Sequence, residues 1–356
     1  MQLKIELLRN IYNLAIHQYL IKSVQATIIE VQGGSNLNWK DEFLRLYTSG
    51  ISSDFGKALD LKREHIPQKL YRYRSLSDES MQHRFGEIVR GELFLSHPKD
   101  LNDPFEACAL LSSTNPSKYI IDKKAYQEQF AGKIPEDKYN EIFSNENWFE
   151  RLLSYVAIVT TDQTNVEKNK EALEKVTLYG MEMLNAHLNE TARRIVRFAS
   201  FSTTATNIPM WHHYTEGHRG VCLEYDTSEI TDIYQRNMMF PVFYVDKLPD
   251  IVSMMLKNAH PKFSLFEYIT MHKLKDWNYE NEWRLIHNVG SWYYSYDDVP
   301  SDFYIKGQTI QFIRPSKIIM GIQISDVHKA KLEEMAASAN IPLVQAKQTE
   351  YGLSTY

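Results

Sequence analysis

Tyr279-Glu280-Asn281-Glu282-Trp283-Arg284-Leu285-Ile286 is the stretch on which the fold turns. Read as a strand, its alternation predicts Glu280, Glu282 and Arg284 on one face and Asn281, Trp283 and Leu285 on the other. Two carboxylates and a guanidinium then point the same way, while Trp283 requires burial on the opposite side. Two readings follow. One is a strand edge where Glu282 and Arg284 pair with neighbours for solubility; the other is a catalytic carboxylate at the floor of a cleft.

Working outward, Pro261 to Leu274 reads as a helix with proline in its first turn, leading into the glutamate strand. Beyond it lie an aromatic loop from Ser291 to Asp302, strands at Thr309 to Ile313 and Lys317 to Ile322, a helix from Asp326 to Ala339 and a last strand at Ile341 to Val344. Upstream, Phe198 to Thr204, Val221 to Tyr225 and Pro241 to Val245 have strand character, with Ser202 and Thr204 facing alike. Between them Met210-Trp211-His212-His213-Tyr214 precedes Gly217-His218-Arg219-Gly220. Read as a strand, His212 and His213 face opposite sides, so no metal site with His218 is expected.

Residues 121–199 are mainly helical in pattern, with apolar positions such as Trp148, Leu152 and Val156, too many for a disordered linker. Leu70-Tyr71-Arg72-Tyr73-Arg74-Ser75 alternates, with Arg72 and Arg74 on one face and the tyrosines on the other. Ser77 caps a helix whose buried stripe is Met81, Phe85, Ile88 and Val89, ending at Gly91. Glu92 to Ser96 returns as a strand, and Asn102-Asp103-Pro104-Phe105-Glu106 is a turn in which Pro104 pushes Asp103 out of helical space. Amphipathic helices are expected over 2–31 and 40–62, the second through Phe43, Leu44, Leu46, Tyr47 and Leu59.

A net charge of -5 argues against broad polyanion binding. Cys108 and Cys222 are the only cysteines, which removes a disulfide framework and makes a reducing cytoplasm the expectation. The sequence shows no signal-peptide pattern and no apolar run long enough to span a bilayer, so no membrane partner is expected.

The phrases Leu70-Tyr71-Arg72-Tyr73-Arg74-Ser75-Leu76, Glu92 to Ser96, Asn102 to Glu106, Phe201-Ser202, Met210-Trp211-x-x-Tyr214, His218-x-Gly220-Val221-Cys222 and Glu282-Trp283-Arg284 together resemble a bacterial family, domain of unknown function family 2971. That family name implies no activity. A looser resemblance is to ADP-ribosyltransferases of the Arg, Ser-Thr-Ser, Glu-x-Glu type. It implies a first-strand arginine, Arg72 or Arg74, on the phosphates of NAD, Ser202-Thr203-Thr204 positioning the ribose, and Glu280-Asn281-Glu282 with Glu282 catalytic. Thr204 stands where serine is usual.

An oxocarbenium-like ribose is stabilised by a nearby carboxylate, the role expected of Glu282, while Glu280 would orient an acceptor or a water. Trp211 or Tyr214 would stack on nicotinamide or adenine, and Asn102 and Glu106 would line the pocket, Glu106 as a ribose contact. The fold expected is α+β, with a split mixed or antiparallel sheet like that of the ADP-ribosyltransferases. Its divisions are an N-terminal helical cap (1–66), a first α+β part (67–120), a helical insertion (121–199) and a second α+β part (200–356). The function expected is NAD-dependent ADP-ribosyl transfer or NAD hydrolysis by a toxin or defence effector, with a nucleotide ligand and a macromolecular acceptor as partners. The N-terminal helices would mediate self-association. The alternatives are a non-catalytic nucleotide-sensing module, and a metal-dependent nuclease or hydrolase drawing on Asp103, Glu106, Glu224, Glu280 and Glu282.

Overall fold

In the computed structural model the glutamate stretch is half strand and half turn. Lys275–Glu280 forms a 3₁₀ helix, Asn281 takes a left-handed conformation with φ of 45°, and the strand begins at Glu282. Asparagine tolerates that conformation better than most residues, so the chain reverses there rather than two residues earlier. The structure describes residues 38–109, 170–249, 265–288, 306–350 and 352–355, with residues 140, 150, 154 and 168. The helices expected over 2–31, the aromatic loop expected over 291–302 and most of 121–169 lie outside the described residues.

Two compact units form. One comprises Met1–Gln32, Ala109–Glu190 and Pro249–Phe263; the other comprises Gly33–Cys108, Thr191–Leu248 and Ser264–Tyr356. In the first, Ala109 and Asn189 exchange two hydrogen bonds, at 2.9 and 3.0 Å. The second holds a seven-stranded mixed sheet. Its strands are β1 (Lys69–Arg74), β3 (Val196–Ser202), β4 (Val221–Asp226), β5 (Met239–Pro241), β8 (Glu282–Asn288), β10 (Lys317–Met320) and β11 (Leu343–Gln345). They lie in the order β11-β10-β4-β1-β3-β8-β5, all neighbours antiparallel except β10 and β11. Two-stranded ribbons join β2 (Glu92–Leu95) to β9 (Gln308–Gln311), β6 (Phe243–Val245) to β7 (His272–Leu274), and β12 (Lys347–Thr349) to β13 (Gly352–Ser354).

The middle of the sheet is thin. β1 pairs with β4 from Lys69 to Arg74 and β3 with β8 along its whole length, but β1 and β3 register only at Tyr71 opposite Ser202. Farther along β3, the same edge is taken by Ser96, which bridges Phe198. The Arg72 guanidinium crosses the gap and donates to the Phe94 carbonyl at 2.8 Å.

One face of the sheet buries Leu70, Ala199, Phe201, Leu223, Trp283, Leu285, Ile318 and Met320. Leu332, Met335, Ala336 and Ala339 of a helix over Asp326–Ala339 cover it. That helix matches the expected span, capped by Ser325 and closed by Asn340 with φ of 54°. The opposite face packs Tyr73, Cys222 and Ile319 against Met210 and Trp211. Helices α1 (Trp39–Tyr47) and α2 (Ser52–Glu64) replace the single helical stretch expected over 40–62. Trp39 stacks on His65 at 4.4 Å and lies 6.0 Å from Trp283.

Several expectations are corrected. The strand expected over Phe198 to Thr204 runs from Val196 to Ser202, two residues earlier at each end. The helix after Ser77, α3 (Asp78–Phe85), widens into a π turn at Gly86–Arg90 before the left-handed Gly91. The extra residue rotates the stripe, so Arg84 and Glu87 are buried while Phe85 is 40% exposed. Met210 to Tyr214 lies in a helix, α5 (Ile208–Tyr214), because Asn207 caps the Met210 amide at 3.1 Å and Pro209 sits in the first turn. The segment before the glutamates is a helix α7 (Leu265–Thr270) followed by β7, and the expected strand at Pro241 to Val245 divides at Val242 into β5 and β6.

Candidate active site

Five charged side chains, all nearly removed from solvent, converge where β8 begins: Glu106, Lys273, Glu280, Glu282 and Arg284. Each arrives by a different local device. Asp103 accepts the Phe105 amide at 2.9 Å, an Asx turn that swings Glu106 inward, and Ala107 beyond it is left-handed at φ 51°. Arg193 fixes the same loop by donating to the Glu106 carbonyl at 3.3 Å. Lys273 lies on β7. Asn281 turns the chain so that Glu280, although outside the strand, meets the same ammonium as Glu282.

Arg284 forms a fork on Glu282, with Nε 2.8 Å from Oε1 and Nη2 3.0 Å from Oε2. The same guanidinium donates to Glu106 Oε1 at 2.9 Å and to the Thr270 carbonyl at 2.7 Å. Its carbon lies 4.4 Å from the Phe198 ring centroid. Lys273 Nζ is 2.6 Å from Glu280 Oε2, 3.1 Å from Glu106 Oε1 and 3.5 Å from Glu282 Oε2. Glu106 Oε2 lies 2.9 Å from Arg284 Nη1 but outside hydrogen-bonding geometry. Tyr214 donates its hydroxyl to Glu280 Oε1, and the Tyr244 hydroxyl accepts the Glu282 amide at 2.8 Å. Both tyrosines are half-buried, and Ser200, which hydrogen-bonds Glu282, is exposed.

The environment pushes the two neighbouring glutamates apart. Burial by itself would raise the Glu282 carboxyl, but the charges of Arg284 and Lys273 with hydrogen bonds from Arg284 and Ser200 hold it at about 2. Burial followed by the Glu282 charge pushes Glu280 up. Burial opposes the Lys273 ammonium, yet Glu282, Glu106 and Glu280 outweigh it and raise it. Burial and then Glu280 raise the Tyr214 phenol. Three carboxylates face two cations here, so a proton on Glu280 leaves the network neutral.

The structure brings together Glu282, Glu280, Glu106 and Tyr214. Ser202 adjoins them, donating to the Glu280 carbonyl at 2.7 Å and accepting the Thr204 amide at 3.2 Å; it braces the turn. Thr204 faces Thr206 at 3.1 Å, and Asn102 is exposed while its neighbour Asp103 is buried. Trp211 is fully buried, its indole donating to the Ala205 carbonyl at 2.7 Å and its ring meeting Tyr73 edge-on at 5.4 Å, so it is core and not a stacking surface. Arg72 and Arg74 lie on the opposite face: Tyr71 is the β1 residue that pairs across to Ser202 and Glu282, while Arg72 pairs with Leu223, which belongs to the core on the other side of the sheet. They do not meet the glutamates.

Sequence reasoning missed Lys273, Ser200 and Tyr244. Ser200 carried a signal, because it has the same parity as Ser202. Among the described residues no group of three or more His, Cys, Asp or Glu is placed to hold a metal ion, and the Lys273 ammonium occupies the centre of the three carboxylates.

The chain is thus a mixed α+β protein with a buried carboxylate and cation network on one face of its sheet. A family model described as "Protein of unknown function (DUF2971)" matches residues 210–285, supporting the first resemblance over that segment. Lys273, Glu280, Glu282 and Arg284 fall inside it, Glu106 and Ser200 outside. No curated protein and no solved structure matches the chain, and the ADP-ribosyltransferase resemblance gains no support. Among the described residues no helix is long and apolar enough to cross a membrane.

Proposed function

We propose that this face of the sheet is an acid–base site for breaking a ribosyl C–N bond, with NAD as the substrate, in ADP-ribosyl transfer or NAD hydrolysis. One observation carries the reading: Glu280 and Glu282 share a cluster whose surroundings drive one carboxyl down and the other up. Glu282, clamped by Arg284, is the fixed negative charge beside which a cationic ribose forms. Glu280, in contact with half-exposed Tyr214, receives the proton of the attacking water or acceptor hydroxyl. The C1′–N bond breaks with its electron pair leaving on nicotinamide, and the new C1′–O bond forms to the deprotonated oxygen. With Glu280 ionised the network carries one excess negative charge, which complements the nicotinamide ribosyl cation. The phosphates would be held by groups other than Arg72 and Arg74, which distinguishes this arrangement from the transferases it loosely resembles.

Nicotinamide release from NAD by the purified chain, with and without cell lysate as acceptor, tests the reading. Glu280→Gln is expected to lower release by about 10²–10⁴-fold while leaving the melting temperature near that of the parent. No release and no NAD binding by calorimetry would overturn it. The near-complete pairing of the five charges favours a second reading, a non-catalytic module that holds a nucleotide against this face; binding without turnover in the parent selects it.

A further inference from the structure

On the other face of the sheet, three arginines surround one carboxylate. Glu87 Oε1 accepts from Arg72 Nη1 at 2.6 Å and lies 3.4 Å from Arg74 Nε, and Glu87 Oε2 is 3.1 Å from Arg84 Nη1. Arg72 and Arg84 are only 3% and 6% exposed, whereas the Arg74 side chain, at 21%, reaches solvent. Among the described side chains, Glu87 is the one carboxylate that acts on Arg84, beside Arg74 and the Tyr225 phenol. Within these four residues three guanidiniums face one carboxylate, an excess of two positive charges, and two of the three arginines are buried, where an uncompensated charge is costly.

The polar atoms repeat the imbalance. Arg72 Nε and Arg84 Nε are buried donors without a hydrogen-bond partner, and Glu87 Oε2, although paired in charge with Arg84 Nη1, is outside hydrogen-bonding geometry. Spare guanidinium N–H groups on two arginines that both contact Glu87 match a tetrahedral oxyanion. Its oxygens accept from the forks, and a residual hydroxyl donates to Glu87. An excess of two positive charges fits a dianion better than a carboxylate.

We propose that Arg72, Arg74, Arg84 and Glu87 form a binding site for a phosphate group, separate from the Glu280 and Glu282 face and independent of the chemistry there. Arg74 is its solvent-side member and Arg72 its floor, already anchored on the Phe94 carbonyl. The ligand is either free phosphate or the phosphate of a nucleoside monophosphate.

Thermal melts of the full chain in inorganic phosphate, in a nucleoside monophosphate and in chloride of matched ionic strength test the site, using the parent, Arg74→Gln and Arg84→Gln. The parent should gain a few degrees in Tm, growing with phosphate concentration, and Arg74→Gln should lose most of that gain. A larger gain with the monophosphate than with phosphate identifies a nucleotide as the source; equal gains identify the free ion. A parent Tm that chloride raises as much as phosphate overturns the proposal, as does a gain undiminished in Arg74→Gln. Arg74→Gln decides the matter even if Arg84→Gln does not fold, since Arg74 is the least buried of the three.

Discussion

Glu267 shows what burial does to one carboxyl away from the charged network. It sits on α7 with the Tyr47 hydroxyl donating to it at 2.8 Å, and burial outweighs that bond and the charge of Lys62 to push it up to about 7. A carboxyl raised above its ordinary 4.5 contributes stability that is complete below about pH 4.5 and lost as the pH rises through 7. Glu282 has the opposite sign, its contribution being complete above about 4.5 and lost as the pH falls through 2. Glu267→Gln keeps the shape and removes the titration. Urea melts at pH 5 and pH 8 should therefore show the parent losing roughly 3 kcal/mol relative to this variant at the higher pH. A difference that stays constant between the two pH values would contradict the assignment.

Some elements in this fold meet at single points, as β1 and β3 do, and Gly220 marks another such point. A Cβ there would stand 2.1 Å from the Arg74 carbonyl oxygen, a backbone atom that β4 pairing holds in place. Gly220→Ala should cost about 1–3 kcal/mol, seen as a lower urea midpoint with an unchanged m-value. The same point contacts explain what the sequence made legible. The Asp326–Ala339 helix could be read to the residue because a serine cap, an apolar stripe of Leu332, Met335, Ala336 and Ala339 and a closing asparagine agree. Glu280 and Glu282 could be recognised as a pair, but not the turn between them, since alternation looks the same until Asn281 breaks it. The face on which Arg72 falls depends on whether Tyr71 or its neighbour pairs with Ser202, a register that a one-residue slip reverses and that no local pattern records. Lys273 was invisible for a related reason: β7 is three residues long, too short for a period, and its meaning comes from Glu106, far away in sequence.

The larger unit is assembled from three separated lengths of chain, and its central sheet pairs Tyr71 with Ser202 and Tyr73 with Cys222. Such pairings close long loops before they return any burial, which places the protein among slow folders. Stopped-flow refolding from urea should have a main phase of about a second or slower, and a dominant sub-millisecond phase would contradict the topology. The five-charge network spans the same separations. Its first carboxylate, Glu106, leaves the ribosome long before the Lys273 and Arg284 that neutralise it. During translation the emerging polypeptide therefore carries an acid group whose counter-ions do not yet exist, and the cluster can click shut only after Arg284 has been made. A prematurely terminated product ending before Arg284 would lack the site altogether.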